Sequence, residues 1–401
     1  VARILLPGTL DTKGEEYAFV RELLRARGHE PLVMDLGILG EPAFTPDISA
    51  AHVASAGGTR LEELRRRKDR GAAVDVMLAG ARSITRDLYK ADQFSGVLGL
   101  GGGGGTTMIT ALMRELPVGV PKVMVSTMAS GNTAPYVDVK DITMMYSVVD
   151  IAGLNPLARR VLANAVGAIS GMLEQPTPNE PGARPLIAAT MFGVTTPCVT
   201  AARKQLEDAG YDVMIFHATG SGGRAMEGLI TDGYFAGVLD VTTTEWCDEI
   251  VGGVLSAGPE RLSAASLKGL PQVVSVGALD MVNFGAYETV PERFRKRTLY
   301  RHNATVTLMR TSEEECAEVG RTIAAQLNRA TGRVVLVLPL KGVSMLDAEG
   351  QPFHNPAANK VLFDALRSNV SANVRVVELD MHINDPEFAR ALADHLLELI
   401  A

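Results

Sequence analysis

The feature that most restricts what this chain can fold into is a rhythm. Short, nearly continuous apolar runs end in Gly, Pro or a small hydroxyl residue, and each is followed by a stretch with apolar residues at helical spacing. "RILLPG" at 3–8 leads into an amphipathic segment over 14–27 and then "PLVMDLG" at 31–37. Runs this short and this apolar read as strands buried on both faces, and parallel strands require helical crossovers. In the first helix Tyr17, Val20, Leu23 and Leu24 share a face, Thr12 and Glu15 form a capping box, and Gly28 ends the segment. Residues 40–70 are less regular; "RLEELRRRKDRG" reads as a charged helix opened by Thr59 and Glu62, its basic cluster a solvated face. Strands are expected near 96–100 and 121–126, a further apolar segment at 142–149, and a helix from Asn155 and Pro156 to about Leu173.

"EQPTPNEPGARP" at 174–185 holds four prolines and almost nothing apolar, the composition of a linker. It divides the chain into residues 1–180 and 181–401. The rhythm then restarts, with strands at "LIAATMF", "YDVMIFHA", "FAGVLDV", "QVVSVGAL", "TVTLMR", "RVVLVLPL" and "VRVVELD" and helices at 196–209, 223–232, 312–329, 356–368 and 385–400. The expected fold is α/β: two doubly wound, mostly parallel, Rossmann-like subdomains.

Composition narrows the function. Of 401 residues 46% are hydrophobic and 21% charged, and a net charge of −7 gives no general basic surface for a nucleic-acid backbone. Cys198, Cys247 and Cys316 are odd in number and lack C-x-x-C spacing, so neither a disulfide framework nor a zinc site is indicated and a reducing, cytoplasmic setting is expected. The N-terminal apolar run breaks at Pro7 and Gly8, short of a signal peptide, and no stretch has membrane-spanning length.

Ligands of doubly wound sheets sit beyond the carboxyl ends of strands. There the sequence places "GLGGGGGTT", with five consecutive glycines between an apolar strand and a helix. Bare amides at a helix start suit phosphate oxygens. Gly101, Gly102, Gly103, Gly104 and Gly105 with Thr106 and Thr107 are the primary candidate; a tight turn is the ordinary alternative. Gly99, Gly101 and Gly104 satisfy G-x-G-x-x-G, and Gly220, Gly222 and Ala225 satisfy its variant, yet both fall on later strands rather than the first of their subdomain. No P-loop pattern is present.

Taken in order, "GTLDTKGEE", "GLGGGGGTT", "VMVSTMASGNTAPYV", "GVTTPCV", "FHATGSGGRAMEGLI", "VLDVTTTE", "GALDMVNFG" and "PLKGVSMLD" resemble the family built around the ATP-binding N-terminal domain of the tomato mosaic virus resistance protein. The resemblance spans nearly the whole chain. It implies two α/β subdomains, homodimers and magnesium-linked ATP binding, and it supplies no reaction.

Candidate roles follow. Thr9, Asp11, Thr12 and Lys13, after the first strand, offer hydroxyls, a carboxylate and an ammonium for phosphate and Mg2+, with Asp11 as the metal ligand; Thr12 can instead be the helix cap. Ser126, Thr127, Ser130, Gly131 and Asn132 can complete the site or form turns. In the second half Gly220, Gly222, Gly223 and Arg224 suggest a second anion nest for a small anionic metabolite, joined by Thr195, Thr196 and Glu245. Arg224, Asp240 and Lys341 are the candidate catalytic groups, and Glu227, Asp280, Asn283, Arg301, His302, Ser344 and Asp347 are further strand-end polar residues. Cys198 in the first turn of a helix, near His217, raises a nucleophilic pair against the simpler reading of a packed cysteine. The expected function is an ATP-binding enzyme acting on a small anionic metabolite in a cleft between the halves. The rivals are a nucleotide-responsive regulatory module without catalysis and an ATP-independent sugar-acid or keto-acid enzyme.

Overall fold

The computed structural model describes residues 1–176 and 182–401. Positions 177–181 of the expected linker lie outside the described residues. The described parts on either side, Gln175, Pro176 and residues 182–185, are exposed. The chain forms two compact units, Val1–Asn179 and Glu180–Ala401.

Unit 1 runs β1 (Arg3–Gly8), α1 (Leu10–Ala26), β2 (Glu30–Asp35), α2 (Ala50–Ala56), α3 (Leu61–Arg67), α4 (Arg70–Lys90), β3 (Gly96–Gly101), α5 (Gly103–Met113), β4 (Lys122–Ser126), α6 (Ala134–Val137), β5 (Thr143–Tyr146) and α7 (Pro156–Glu174). Its sheet is wholly parallel in the order β2-β1-β3-β4-β5. Alternation explains the continuous apolar runs. Ile4, Leu6, Leu98, Leu100, Val123 and Val125 pack with α1 and α7, whereas Leu5, Val97 and Met124 pack with α2, α4 and α5. Gly99 is glycine because an added Cβ would lie 2.4 Å from Ile109 of α5.

The strand order reverses direction between β1 and β3. These strands are in register at Ile4↔Gly96 and Leu5↔Val97. Farther along, Tyr17 takes the place of the ladder: its buried hydroxyl donates to the Pro7 carbonyl at 2.6 Å, lies 3.0 Å from the Leu100 carbonyl and accepts the Leu100 amide at 3.1 Å. Gly8 makes room for the ring, since a Cβ there would sit 1.9 Å from it. Burial raises the phenol pKa, so the hydroxyl remains a neutral donor.

Two helix starts differ from the sequence reading. α1 begins at Leu10, and the Thr12 hydroxyl meets that of Thr9 at 2.8 Å; Asp35 at the end of β2 accepts the Leu10 amide at 3.1 Å. A neighbouring strand thus supplies the acceptor that a local capping box would have supplied, and Lys13 departs from helical angles. The basic stretch is a junction rather than one helix: α3 stops at Arg67 and is followed by Lys68 at φ 54°, and Asp69 caps the 21-residue α4 by accepting the Ala72 amide.

Unit 2 comprises β6 (Leu186–Met191), α8 (Thr196–Asp208), β7 (Asp212–His217), α9 (Ser221–Asp232), β8 (Gly237–Thr242), α10 (Glu245–Val251), α11 (Ser263–Lys268), β9 (Gln272–Gly277), β10 (Met281–Phe284), β11 (Leu299–Arg301), β12 (Thr307–Arg310), α12 (Glu313–Leu327), β13 (Val334–Pro339), α13 (Pro356–Asn369), β14 (Val374–Leu379) and α14 (Pro386–Ile400). The parallel sheet is β14-β13-β9-β8-β6-β7, and β10-β12-β11 form a separate antiparallel sheet. "TVTLMR" therefore belongs to that small sheet, and "GALDMVNFG", expected as a loop, contains β10. An apolar cluster of Val194, Ala278, Met281, Leu308, Leu346 and Phe353 joins the small sheet to the segments that follow β6, β9 and β13. Both units are Rossmann-like α/β folds.

Replacing Tyr17 with Phe removes the hydroxyl and leaves the Leu100 amide and Pro7 carbonyl unpartnered in the core. The variant is expected to lose about 1–3 kcal/mol of stability, read by denaturant unfolding. An unchanged midpoint would show that these groups find other partners.

Candidate functional site

A cavity of ≈ 820 Å³ lies in unit 1 at the carboxyl ends of β1 and β3, where the order of the sheet reverses. Its wall contains Thr9, Asp11, Thr12, Lys13, the whole run Gly101–Gly105 and Thr107. The structure thus brings together two segments about ninety residues apart that the sequence offered separately. The rest of the lining is largely aliphatic, with Leu36, Ile38, Leu39, Leu64, Ala73, Val74 and Met108, and carries Arg65, Lys68, Asp69 and Arg70.

The glycines divide by what surrounds them. Gly101 is close to its own turn, 3.0 Å from the Cα of Gly105. At Gly102, Gly103, Gly104 and Gly105 the nearest atom to an added Cβ is 3.8–3.9 Å away, and none of the five has positive φ. Neither backbone angle nor packing against the chain demands glycine at 102–105. What the run leaves is open space before the first turn of α5, whose N-cap, Gly102, has no side chain to occupy the turn's free amides.

Other candidates are placed around this turn with different roles. Thr106 is buried and meets the Ser126 hydroxyl at 2.6 Å, tying α5 to β4; Ser126 also accepts the Met128 amide. Thr107 donates to the Gly103 carbonyl at 2.9 Å, and Thr127 lies beside Gly102. Ser130, Gly131 and Asn132 are exposed and absent from the cavity wall, and Asn132 accepts the Ala134 amide of α6. Lys13 donates to the Ile151 carbonyl at 2.5 Å. Asp11 accepts the Leu39 and Gly40 amides at 2.8 and 3.2 Å through Oδ2, while its buried Oδ1 has no hydrogen-bond partner. Among the described residues no group of three His, Cys, Asp or Glu side chains could enclose a metal.

Sequence reasoning missed the cations. Arg65 donates to the carbonyls of Ile38 and Gly40 at 2.9 and 2.7 Å and buttresses the aliphatic wall. Lys68 and Arg70 reach the cavity from the α3–α4 junction, and an Arg70 Nη lies 3.9 Å from the Cβ position of Gly104. The available signal was Asp69, an N-cap residue inside the charged run that marks a helix start. With Lys13, the wall carries four cationic side chains against the carboxylates of Asp11 and Asp69 in a chain of net charge −7.

In unit 2 the expected anion nest is filled by the protein. Glu245 Oε1 accepts the amides of Gly220 and Gly223 at 2.6 and 3.1 Å, and its Oε2 accepts Arg261 Nε at 2.7 Å. Gly220 has φ 82°, and Cβ atoms at Gly222 and Gly223 would collide with the His217 carbonyl at 1.8 Å and with Glu245 at 2.2 Å. Here packing accounts for the glycines. Asp240 takes both Arg261 Nη atoms at 2.5 and 2.7 Å and accepts the Thr190 hydroxyl, and Glu227 completes the ring of carboxylates. Burial raises the pKa of Glu227 against the pull of Arg261. Arg261, unmarked in the sequence, organises the cluster. Arg224 donates to the Ser256 carbonyl at 3.1 Å. Thr195 bonds Thr242 and Phe192, Thr196 bonds Phe192, and Lys341 pairs with Asp380 at 2.9 Å on the surface.

Of the two readings of Cys198, the packed cysteine is the one the structure shows. Cys198 is almost fully buried, which pushes its thiol up to about 12, while His217 is exposed. Desolvation outweighs the favourable field of the helix start. Two other acids are notable. Asp280 accepts the Ser344 hydroxyl at 2.7 Å beside Asp347 and Arg310, and Asp248 accepts the amide and side chain of Asn283; burial pushes each up to about 7.

The chain is matched by two family models in succession: the uncharacterised protein family UPF0261 N-terminal domain over residues 2–178 and the C-terminal domain of the same family over residues 184–400. It is 54% identical to a UPF0261 protein of Clostridium tetani over 99% of both chains. It is also 44% identical to the ToMV resistance protein Tm-1(GCR237) of Solanum lycopersicum, over 82% of this chain and 45% of that one. Among solved structures, the thioesterase domain from the curacin biosynthetic pathway matches at 10% identity with a TM-score of 0.28, covering 54% of this chain and 92% of that one, too slight a likeness to carry an argument. The chain belongs to the UPF0261 family.

Arg261→Met would leave Asp240, Glu245 and Glu227 buried without their cation, and unit 2 is expected to lose about 3–5 kcal/mol, measured by denaturant unfolding; wild-type stability would show that Arg261 is not the organising charge. Asp280, raised from 3.8 to about 7, holds its proton in the folded state over a range where the unfolded chain has released it. Its contribution therefore becomes less favourable as pH rises from about 4 to about 7 and is level above that. Asp280→Asn should gain stability relative to wild type across that window, read as Tm against pH; a constant difference would refute the assignment.

Proposed function

For this member of the UPF0261 family we propose that unit 1 binds a magnesium nucleotide, ATP, with phosphate oxygens on the free amides at the start of α5. One observation carries the reading: four consecutive glycines, 102–105, are required neither by φ nor by contact with their own chain, and they face an ≈ 820 Å³ cavity with a cationic wall. The aliphatic side chains after β2, Leu36, Ile38 and Leu39, suit the flat apolar faces of a base, and adenine is taken from the family resemblance.

Asp11 fits a magnesium ion. Its Oδ2 is fixed by two amides and its buried Oδ1 has no partner, an arrangement that supplies one carboxylate oxygen from a fixed position. Magnesium at nucleotide sites is held by one or two carboxylates together with phosphate oxygens and water, and Asp11 would supply one such carboxylate. The ion would neutralise phosphate charge. Thr9, Thr12 and Lys13 stand beside Asp11 and would orient the same oxygens.

The reading continues to a cytoplasmic homodimer without membrane or nucleic-acid partners. In its support, Cys198, Cys247 and Cys316 are free and buried, and no helix among the described residues is long and apolar enough to cross a membrane. Whether nucleotide binding serves catalysis on a small anionic metabolite or regulation is separable. The protein partners of Arg224, Asp240, Glu245 and Lys341 favour the nucleotide-responsive binding module over the metabolite enzyme.

Gly103→Val tests the proposal cleanly, because position 103 has helical backbone and its nearest neighbour, the Met128 sulfur, is 3.9 Å from the new Cβ. The variant should fold with a Tm within about 2 °C of wild type. Calorimetric titration with Mg-ATP should show at least about a tenfold loss of affinity, equivalent to one lost hydrogen bond to a charged group. Equal affinity in a folded variant would overturn the assignment.

A further inference from the structure

We infer that Arg70 is the specificity-determining residue for the terminal phosphate of the bound nucleotide, and that the cavity distinguishes a triphosphate from a diphosphate through it. This rests on the nucleotide reading of the unit 1 cavity and adds to it the part of the ligand that is counted.

The argument starts at the α3–α4 junction. In a continuous helix, residues two apart face away from each other and could not serve one site. Lys68 breaks the helix with φ 54°, a left-handed conformation that a side-chain-bearing residue adopts at a cost. Asp69 then restarts it by accepting the Ala72 amide. As a result Lys68 and Arg70 line the same cavity although only one residue separates them. Among the described residues, neither is ion-paired to a carboxylate, whereas the neighbouring Arg65 and Arg67 are paired with Glu41 and Glu63. The strained turn delivers two cations to the cavity, and neither is tied up there in an ion pair among the described residues.

Position gives the division of labour. The amides of the first turn of α5 lie on the glycine side, and a phosphate resting on them is held by main-chain donors that substitution of Arg70 leaves in place. Arg70 approaches this turn from α4, with an Nη 3.9 Å from the Cβ position of Gly104, so a group seated before Gly104 lies between the amides and the guanidinium. A guanidinium presents five donors in a fixed fork suited to phosphate oxygens. Lys13, engaged with the Ile151 carbonyl at 2.5 Å, belongs to the β1 side of the cavity. With the base against Leu36, Ile38 and Leu39 after β2, the sheet order β2-β1-β3 carries the phosphates across the β1 segment to the amides after β3, and the outermost one meets Arg70, with Lys68 adding charge.

The test is calorimetric titration of the 401-residue chain with ATP, ADP and inorganic tripolyphosphate in the presence of Mg2+, on wild type, Arg70→Ala and Arg70→Gln. Arg70 is exposed at the first position of its helix, and unchanged circular dichroism and Tm establish that the variants fold. Wild type should bind ATP at least about tenfold more tightly than ADP. Both variants should lose that preference: ATP and tripolyphosphate affinity falls at least about tenfold while ADP changes by less than about threefold. A preserved ATP-to-ADP ratio in the variants, or an equal loss of both nucleotides, overturns the role given to Arg70 and leaves the nucleotide site standing. Absence of binding by wild type to all three probes overturns the nucleotide reading itself, and this inference with it.

Discussion

The cavity of unit 1 exists because two neighbouring parallel strands stop pairing before they end. The β1–β3 ladder is in register at Ile4 and Leu5, and near the carboxyl ends the buried Tyr17 hydroxyl bridges the Pro7 carbonyl and the backbone of Leu100. Buried main-chain groups must be partnered, and a single side chain does this where the strands no longer can. Because the sheet order also reverses here, the segments after β1 and β3 leave toward different neighbours and open a crevice. Gly8 yields space to the phenol ring and Asp35 accepts the first amide of α1, so these groups secure the floor on which Thr9–Lys13 and the glycine turn are set.

The two glycine-rich turns show why the same composition can have opposite meanings. At Gly220–Gly223 the amides point at an anion that the chain itself provides, Glu245, and the glycines are forced by a positive φ and by contacts under 3 Å. Arg261 compensates that carboxylate together with Asp240 and Glu227, making a closed electrostatic unit in which breaking one pair strands the others. At Gly102–Gly105 no side chain among the described residues fills the corresponding position, and none of them approaches closely enough to demand glycine. One nest is structural. The other faces solvent, with Lys68 and Arg70 nearby.

Electrostatics accentuates the contrast. The chain as a whole is acidic, yet the cavity wall carries Lys13, Arg65, Lys68 and Arg70 against Asp11 and Asp69. In unit 2 the charged groups turn inward: Asp280 and Asp248 are raised toward neutrality by burial, and Cys198 loses acidity for the same reason. Desolvation governs these groups, whose residue types alone suggest reactivity.

The sequence by itself determined the alternation of buried strands and amphipathic helices, and with it the two doubly wound parallel sheets. It also placed the glycine run at a strand-to-helix turn, because periodicity and local backbone preference are written in adjacent residues. Only tertiary structure decided which polar residues share a site. Thr9–Lys13 and Gly101–Gly105 meet through the β1–β3 adjacency, Lys68 and Arg70 join them through a left-handed residue, and Glu245 turns a promising nest into an internal contact. The boundary of α1 was misread because its cap acceptor, Asp35, comes from another strand. The small antiparallel sheet was hidden because β10 and β12 owe their pairing to partners more than twenty residues apart. Contacts of that range depend on how the chain closes in space, and no local pattern of residue types records them.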